Sequence, residues 1–552
     1  MELIKSMERL EQSKTTDIRK TTDLPSAVRH PFGTRGCTYS RKKLILIFLC
    51  VLSFFFMYFS NVCKWTSIWE QSEIPHKDMT VDEVTFSTST SFTSFNDSSS
   101  AQNSVVRLEQ PRAQYCVGDT LNVLVEISDY EGNLKAYGGD FILARIHSPN
   151  LKACASGNVT DLLNGSYRVH FHLFWPGEVH VSVLLIHSSE AVKVLQKDWI
   201  KNYSKITHMG TFVIGRKKET SECALRLSSD TPLCEYRKKQ DGEYYACYKP
   251  HTLPCNSLTT MRSYAYHGPN FTKEEVHLLA QENTGIAIPN SFNPVTVVGC
   301  TGTVHRPTEK CVVGMNPPFP GGYFYSDRWS SSSCQAGPFL NAGAITRCLK
   351  EKTLYLLGDS TARQWIEYLN RKLKGLRMKG SRLLSYLAVD ARNKITVRWI
   401  KHAHPWLSTL PSSIKKSVTI PEVLDSITLG RGQKDVIVVI GIGQHFRPYP
   451  PEVFIRRLQS IRRAILRLHA RIPQAVVVIK LENTIKLRPT MIGNSNWYGY
   501  MQNLAQRKVF ECLKVALVDA WDMTVAANTL DVHPNPVIVS NQVALALSYS
   551  CH

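Results

Sequence analysis

The sequence has no Cys-x-x-Cys pair, although it contains fifteen cysteines. Zinc sites built from cysteine usually need such closely spaced pairs, so the pattern argues against zinc and we expect no metal site. Three cysteines lie in or near the N-terminal region, which leaves an even number, twelve, in the rest of the chain. An even number is typical of disulfide-bonded proteins of the secretory pathway, and the sequence alone does not give the pairing.

The N-terminal region also lacks the small-residue cleavage site that follows the core of a signal peptide. Residues 1–43 form a basic polar tail, and residues 44–60 form an apolar segment. We interpret this segment as a transmembrane signal-anchor with the tail in the cytosol, because positive residues favour that side. The chain would then be a single-pass type II membrane protein of the Golgi or another secretory-pathway lumen. The alternative is a cleaved signal peptide and a secreted protein.

Acidic residues do not balance the basic ones, and the formal net charge is +21. Such a charge can serve nucleic acid, a membrane surface or an anionic substrate. The expected lumenal location argues against nucleic acid as a partner. The Asn-x-Ser/Thr sequons agree with a lumenal body, because all of them follow the apolar segment. These candidate glycosylation sites are Asn96, Asn158, Asn164, Asn202 and Asn270.

The rest of the chain changes composition three times. Residues 61–104 are rich in serine and threonine, which is typical of an extended stem. Residues 105–215 contain short alternating strands and predict an all-β, immunoglobulin-like sandwich. Residues 216–348 are rich in cysteine, glycine and proline and indicate a disulfide-stapled connector. Residues 349–552 alternate strands with helices, which predicts an α/β domain with a parallel sheet and flanking helices.

One stretch of the α/β region has the order strand, sharp turn, helix. Leu354–Leu357 is a short apolar run, Gly358 breaks it, and a helical pattern begins after Asp359-Ser360-Thr361. A serine in this position has an exposed hydroxyl and a backbone N–H at a helix N-terminus, where negative charge is favoured. Ser360 is therefore a candidate nucleophile. The alternative is that these polar residues only cap the helix.

A glycine-rich polar loop follows a second buried strand, Asp435–Ile440. Because the carboxyl ends of parallel strands meet at one edge of a sheet, we expect this loop to lie close to Ser360. Glycine N–H groups and an amide side chain can stabilise an oxyanion. We assign an oxyanion-binding and substrate-binding role to Gly358, Asp359, Gly441, Gly443 and Gln444.

The loop after the last strand supplies a candidate base. His533 follows the run Asn528-Thr-Leu-Asp-Val and precedes a proline. A histidine can take the proton of a serine and return it to a leaving group. An acidic residue can fix the histidine tautomer, and Asp531 is the nearest in the sequence.

The helix predicted around residues 453–471 carries five arginines on one face. This face could bind an anionic donor or sialic acid, and the alternative is a solvated surface.

With these motifs the chain resembles the neurexophilin and PC-esterase domain family, and its C-terminal part resembles the GDS-type SGNH hydrolases. Gly358-Asp359-Ser360, the glycine-rich middle loop and the terminal Asp and His533-Pro carry the second resemblance. The phrases that resemble the neurexophilin-like module are Tyr137-Gly-Gly-Asp-Phe141, Asn164-Gly-Ser-Tyr167 and His187-Ser-Ser-Glu-Ala191.

The resemblance implies an enzyme that adds or removes acetyl groups on glycans, sialic acid among them, with Ser360 as nucleophile and His533 as base. The family pattern ends in Asp-x-x-His, whereas Asp531 here lies two residues before His533. The acidic member is therefore open, and Asp522 and Asn528 are substitutes.

These observations give two functional hypotheses. The first is a serine-dependent glycan O-acetyltransferase or O-acetylesterase, with acetyl-CoA as donor if it is a transferase and no tightly bound cofactor. The second is a catalytically silent protein whose sandwich binds a cell-surface partner. The enzyme predicts that Ser360 Oγ lies within about 3 Å of a His533 ring nitrogen.

Overall fold

The computed structural model describes most of the chain after the predicted stem. The described residues are 94–551 without 202–205, 229, 239–242, 267–270, 301–306, 404–407, 409, 431 and 487–493. The predicted cytosolic tail, the anchor segment 44–60 and nearly all of the stem lie outside them.

The first part of the described chain consists mostly of strands whose side chains alternate between buried and solvent-facing. Its elements are β1 Ser99–Leu108, β2 Tyr115–Cys116, β3 Thr120–Asp129, β4 Phe141–Ser148, β5 Ala153–Ser156, β6 Asn158–Asp161, β7 Ser166–His172, β8 Gly177–His187 and α1 Ser189–Lys201. The next elements are β9 Ile206–Ile214, β10 Lys217–Ala224, β11 Leu233–Lys238, β12 Glu243–Tyr248, β13 Leu258–Tyr266, α2 Lys273–Leu278, β14 Ile286–Ala287, β15 Val295–Val298, β16 Gly322–Tyr325 and β17 Arg328–Ser331.

The second part alternates strands and helices. Its first elements are α3 Ala342–Leu349, β18 Lys352–Gly358, α4 Ser360–Lys372, β19 Arg377–Ser381, β20 Ser385–Asp390, β21 Ile395–Lys401, β22 Ser412–Ser413 and α5 Ile420–Ser426. They are followed by β23 Asp435–Gly441, α6 Gly443–Phe446, α7 Pro451–Arg471, β24 Val476–Lys480, α8 Asn496–Val509, β25 Ala516–Val518, α9 Ala520–Ala526 and α10 Pro536–Ser548.

Two sheets pack around a common apolar core in the N-terminal part. One has the order β1-β3-β7-β6, and the other has the order β17-β16-β5-β4-β8-β15-β2, with β14 paired to β8. The second sheet is mixed, because β15 and β2 run parallel while the other pairs are antiparallel. Helix α1 lies within residues 105–215, and strands β14–β17 come from beyond residue 215, so the prediction of an all-β sandwich over residues 105–215 is wrong: the region predicted as connector completes its larger sheet.

A third sheet, fully antiparallel, occupies much of the predicted connector. Its order is β11-β12-β10-β9-β13-β22. Two disulfides staple it, Cys223–Cys247 across a pair of directly opposed residues and Cys234–Cys255 at its end. The described cysteines form three further disulfides, Cys116–Cys300, Cys311–Cys334 and Cys348–Cys551. The predicted disulfides are confirmed, and Cys154 has a free thiol.

The C-terminal sheet has seven strands in the order β19-β20-β21-β18-β23-β24-β25. The five strands from β21 to β25 in this order are parallel, and β20 is antiparallel to both of its neighbours. The prediction of a parallel sheet is therefore wrong at this edge. The physical reason is the tight turn after β20, where Asp390 accepts a hydrogen bond from Asn393 N. A connection this short joins antiparallel strands, whereas a parallel pair needs a long crossover.

The prediction of a transmembrane helix at residues 44–60 stays a prediction. The described ranges contain no helix that is long and apolar enough to span a membrane. The segment 44–60, to which the sequence assigned that helix, lies outside the described residues.

Helices cover both faces of the C-terminal sheet, and the N-terminal part joins one of these cores. Helices α5, α7 and α8 pack on one face, and α3, α4 and α10 pack on the other. Trp199 of α1 belongs to the first core, where its ring contacts Trp497 of α8 edge-on at 5.5 Å. Burial of large aromatic side chains at such a boundary contributes on the order of 2–3 kcal/mol each. The two-sheet part therefore packs directly against the α/β part.

Helix α9 is the second point of attachment. Arg145 Nη1 donates to the carbonyl of Ala526 at 3.1 Å, and Ser156 Oγ donates to the carbonyl of Asp522 at 3.1 Å. The buried Asp522 carboxylate accepts Gly321 N at 2.6 Å. Strands of the larger sheet therefore hold α9, which leads into the loop that contains His533.

Candidate active site

The turn between β18 and α4 requires glycine at its first position. The backbone carbonyl of Gly441 on the neighbouring strand would lie 1.9 Å from a Cβ atom at position 358. The same carbonyl accepts a hydrogen bond from Asp359 N at 3.0 Å. This close approach ties the end of β18 to the end of β23.

Asp359 is buried and caps α4. One oxygen of its carboxylate accepts Thr361 N at 2.8 Å and Thr361 Oγ1 at 2.7 Å. A carboxylate has no proton to donate, so Asp359 shapes the turn and does not bind an oxyanion. Ser360 is the first residue of the helix, where its N–H has no acceptor within the helix.

The candidate nucleophile and base are in hydrogen-bond contact. His533 Nε2 lies 2.8 Å from Ser360 Oγ. Contacts of the two residues that follow His533 fix the loop: Gln364 Nε2 donates to the carbonyl of Pro534 at 3.1 Å, and Asn535 caps α10 through Val537 N and Ile538 N. The distance is the one expected for a serine whose proton passes to a histidine.

Charges near His533 favour its neutral form. Burial lowers the pKa of His533 below its ordinary value, and the nearby Arg363 lowers it further. The carboxylates of Asp359 and Glu367 act in the opposite direction. The net lowering leaves the imidazole free to accept a proton at neutral pH.

The acidic candidates do not contact His533. Asp531 is exposed, and within the described residues it forms no hydrogen bond or ion pair with the imidazole. Asp522 is engaged by Gly321 N. Asn528 is exposed and has a left-handed backbone, φ 49°. In the part of the chain that the structure describes, the site is a Ser–His pair without a hydrogen-bonded carboxylate.

The glycine-rich loop lies beside Ser360, but Gly443 N and one N–H of the Gln444 amide are already engaged. Gly358 and Gly441 are opposite each other in the parallel ladder of β18 and β23. Gly443 N donates to Glu482 Oε1 at 2.7 Å. Gln444 Nε2 donates to the carbonyl of Asn483 at 3.1 Å. The sequence placed this loop at the correct edge and did not reveal the acceptors behind it.

Those acceptors belong to a buried charged cluster that the sequence analysis missed. Lys480 Nζ donates to Thr361 Oγ1 at 3.2 Å. Burial and the nearby Asp359 raise the pKa of Glu482 to about 7. Arg447 is fully buried and donates to the carbonyl of Asn483 at 2.7 Å. The available signal was the position of Lys480-Leu-Glu-Asn483 at the carboxyl end of a buried strand.

A histidine pair at the same edge was missed too. His402 follows β21, and its Nε2 lies 2.8 Å from Nδ1 of His445 in α6. The two residues are far apart in the sequence, and no spacing rule connects them.

The arginines of α7 mostly bind the protein itself. Arg467 forms a bidentate pair with Asp425, with distances of 2.9 and 2.7 Å. Arg471 donates to the carbonyl of Leu424 at 2.7 Å, and the buried Arg457 donates to the carbonyl of Ala403 at 3.0 Å. These three side chains are therefore engaged in internal contacts and are poorly placed to bind an anionic ligand.

Three of the five sequon asparagines lie in the described residues. Asn96, Asn158 and Asn164 are exposed, as a glycosylation site requires. Asn202 and Asn270 lie outside the described residues.

Solved structures provide distant similarities. Axe2, an acetylxylan esterase from Geobacillus stearothermophilus, shares 12% identity over 36% of this chain and 91% of its own, with a TM-score of 0.20. A DUF4785 family protein from Legionella pneumophila shares 14% identity over 31% of this chain and 55% of its own, with a TM-score of 0.12. Invasin, a bacterial integrin-binding protein, shares 10% identity over 55% of this chain and 60% of its own, with a TM-score of 0.14.

Family models give the stronger matches. Residues 83–268 match the neurexophilin family, and residues 329–551 match the C-terminal domain described as NXPE family member 4-like. The C-terminal match is compatible with an esterase or acyltransferase class and specifies neither a glycan nor an acetyl group. The two matches occur in the order and in the regions where the sequence motifs lie. The chain belongs to the NXPE family, and its neurexophilin match precedes its match to the NXPE C-terminal domain.

Proposed function

We propose that this protein is a glycan O-acetyltransferase or O-acetylesterase of the secretory pathway that works through an acyl-serine intermediate. The observation that carries the proposal is the 2.8 Å contact between Ser360 Oγ and His533 Nε2. The disulfides and the exposed sequons support an oxidising, glycosylating compartment. The resemblance to enzymes that act on acetylated glycans suggests the substrate class, with sialic acid as the first acceptor to test.

The chemistry follows from the positions of the two side chains. Ser360 Oγ attacks the acyl carbonyl carbon, and its proton passes to His533 Nε2. The tetrahedral intermediate collapses when the bond to the leaving oxygen or sulfur breaks, and His533 returns the proton to that atom. In the second half, His533 takes a proton from water or a sugar hydroxyl as that oxygen attacks the acyl carbonyl, and it returns the proton to Ser360 Oγ when the bond between the acyl group and the serine breaks.

The second half decides between hydrolysis and transfer. An esterase admits water, whereas a transferase excludes it and holds an acceptor hydroxyl against the acyl-serine. Acetyl-CoA is the donor we propose for the transferase, because a thioester is an activated acyl group. The acceptor in that case is a glycan hydroxyl.

A silent binding protein is the second candidate. The observation that favours it is that His533, within the described residues, has no carboxylate hydrogen-bonded to its other ring nitrogen. In serine hydrolases that carboxylate holds the tautomer and stabilises the imidazolium. In this alternative the neurexophilin-like module would bind a cell-surface protein, and the Ser–His contact would only stabilise the fold.

The test compares cells that express the wild type, Ser360→Ala or the control Ser540→Ala at matched protein level. Ser540 lies on α10, and its hydroxyl bonds only its own helix. Cell-surface and mucin sialic acids are released and their O-acetyl content is measured by mass spectrometry. We expect a change with the wild type and with Ser540→Ala that is absent with Ser360→Ala. A rise indicates a transferase, and a fall indicates an esterase.

If neither the wild type nor Ser540→Ala changes the O-acetyl content relative to untransfected cells, the sialic acid proposal fails. A change that persists in Ser360→Ala would refute the acyl-serine mechanism and favour the binding module.

A further inference from the structure

Two histidines form a bridge across the carboxyl edge of the C-terminal sheet. His402 follows β21, His445 lies in α6 after β23, and their rings are 4.9 Å apart between centroids. His402 Nε2 and His445 Nδ1 are 2.8 Å apart, so one nitrogen donates a proton and the other accepts it. His402 is buried, and its ring also stacks on Phe446.

The order of the strands places this bridge over the nucleophile turn. Strand β18 lies between β21 and β23, and neighbouring strands are about 4.8 Å apart. The two histidines therefore approach from opposite sides of β18 and meet beyond its last residue. His402 N donates to the carbonyl of Gly358 at 3.3 Å, directly before Asp359 and Ser360.

The same region has few free hydrogen-bond donors. A tetrahedral intermediate carries negative charge on the former carbonyl oxygen, and serine hydrolases stabilise it with preorganised donors. Gly443 N is engaged by Glu482, and the Gln444 amide is engaged by Asn483. Ser360 N remains at the helix start. Nε2 of His445 forms no hydrogen bond with the described residues.

We propose that His445 donates its Nε2–H to the acyl oxyanion, while His402 fixes the required tautomer by donating its Nε2–H to Nδ1 of His445. This inference rests on the proposed acyl chemistry. His445 would be a catalytic residue, because it touches the reacting atoms, and His402 would be a positioning residue. Burial lowers the pKa of His445 to about 4; Asp359 opposes this, and Lys401 and Arg363 add to it, so the ring is neutral and retains an acceptor at Nδ1.

Replacing His445 with either of two amide residues separates its donation to the oxyanion from its contact with His402. The amide of asparagine in His445→Asn reaches about as far as Nδ1 and can preserve the contact with His402. The longer glutamine in His445→Gln places its N–H near the position of Nε2. The control is His180→Gln, because the ring of His180 lies beside that of His147, 5.4 Å between centroids, in the N-terminal part and away from Ser360.

The measured quantity is the rate at which a fluorophosphonate probe labels Ser360. Ser360 Oγ forms a bond to phosphorus, fluoride leaves, and the serine proton passes to His533. The phosphoryl oxygen then occupies the oxyanion position. We expect His445→Asn to label about 10²-fold more slowly than wild type, since removal of one oxyanion donor costs about 10²–10³-fold. His445→Gln should retain most of the rate, and His180→Gln should retain all of it.

A second variant keeps the test decisive if His445→Asn folds poorly. His402→Phe preserves the aromatic packing on Phe446 and removes the tautomer-fixing donor, and we expect slower labelling with an unchanged melting temperature. Normal labelling of His445→Asn together with a loss in His445→Gln would overturn the inference and make the bridge purely structural. If the wild type is not labelled at all, the proposed function itself fails.

Discussion

Arg363 and Glu367 form an ion pair one turn apart on α4, with Arg363 Nε 3.0 Å from Glu367 Oε1. Both charges act on His533, and they act in opposite directions: the guanidinium lowers the pKa of the imidazole and the carboxylate raises it. The pair therefore adjusts the pH at which the candidate base becomes neutral.

Removing either charge should move the pH profile in a known direction. His533 must be neutral to accept the serine proton, so activity is lost as pH falls through its pKa. Arg363→Gln removes the lowering charge, and the acid limb of kcat/KM for p-nitrophenyl acetate should shift to higher pH. Glu367→Gln should shift it to lower pH. Arg371→Gln, a substitution near the C-terminal end of the same helix, is the control, and equal shifts in both test variants would refute this account.

Asp531 should contribute little to catalysis. Loss of an orienting carboxylate costs about 10⁴-fold in kcat in a Ser-His-Asp triad. Asp531 is exposed and makes no described contact with His533. We therefore expect the kcat of Asp531→Asn to stay within about 3-fold of the wild-type value. The measurement is esterase kinetics beside Ser360→Ala, and a loss near that of Ser360→Ala would show that the loop closes onto Asp531 during turnover.

Lys480 should be important for stability. Its fully buried ammonium lies near the buried carboxylates of Asp359 and Glu482. Lys480→Met would remove one of the two buried cations, the other being Arg447, that act on these carboxyl groups, and loss of a partner from a buried charged cluster costs about 3–5 kcal/mol. Lys434→Met is the control, because Lys434 is exposed and its ion pair with Glu351 is screened by solvent. Denaturant unfolding measures both, and equal values would contradict the prediction.

The disulfide between Cys348 and Cys551 should stabilise the C-terminal domain. It joins α3 to the end of the chain over a sequence separation of 203 residues. Replacing both cysteines with serine should lower the free energy of unfolding by roughly 2–5 kcal/mol, because the unfolded chain gains freedom. Cys154→Ala, at the free thiol, is the control. If the double variant unfolds at the same denaturant concentration as wild type, the bond does not contribute to stability.

The sequence predicted the parts of the site that depend on local patterns. The apolar run before Gly358 and the β-branched run Asp435–Ile440 form adjacent buried strands, because such runs fit the interior of a parallel sheet. The amphipathic spacing of α7 also matches its buried residues. The rule that strand ends converge at one edge placed Ser360 beside the loop at residues 441–445.

What the sequence did not reveal depends on contacts between distant residues. In β19 and β20, apolar and polar residues alternate too weakly for the sequence to identify these strands. The tight turn after β20 decides that β20 runs antiparallel to β21. The residues that accept hydrogen bonds from Gly443 and Gln444 lie on the loop after β24. His402 and His445 follow β21 and β23, the two strands on either side of β18, and contact each other beyond its end. The spacing of apolar residues predicts which side chains are buried, but it does not predict which buried polar groups form hydrogen bonds with each other.

The attachment of α9 affects how the protein can be divided. Arg145 and Ser156 bond to carbonyls of this helix, and the loop that follows it contains His533. Excising the neurexophilin-like module would leave the Asp522 and Ala526 carbonyls without these donors, at the base of the loop that contains the candidate base His533. An exchange of modules at this junction would therefore also disturb the C-terminal domain, so an engineered variant has to keep both sides of this contact.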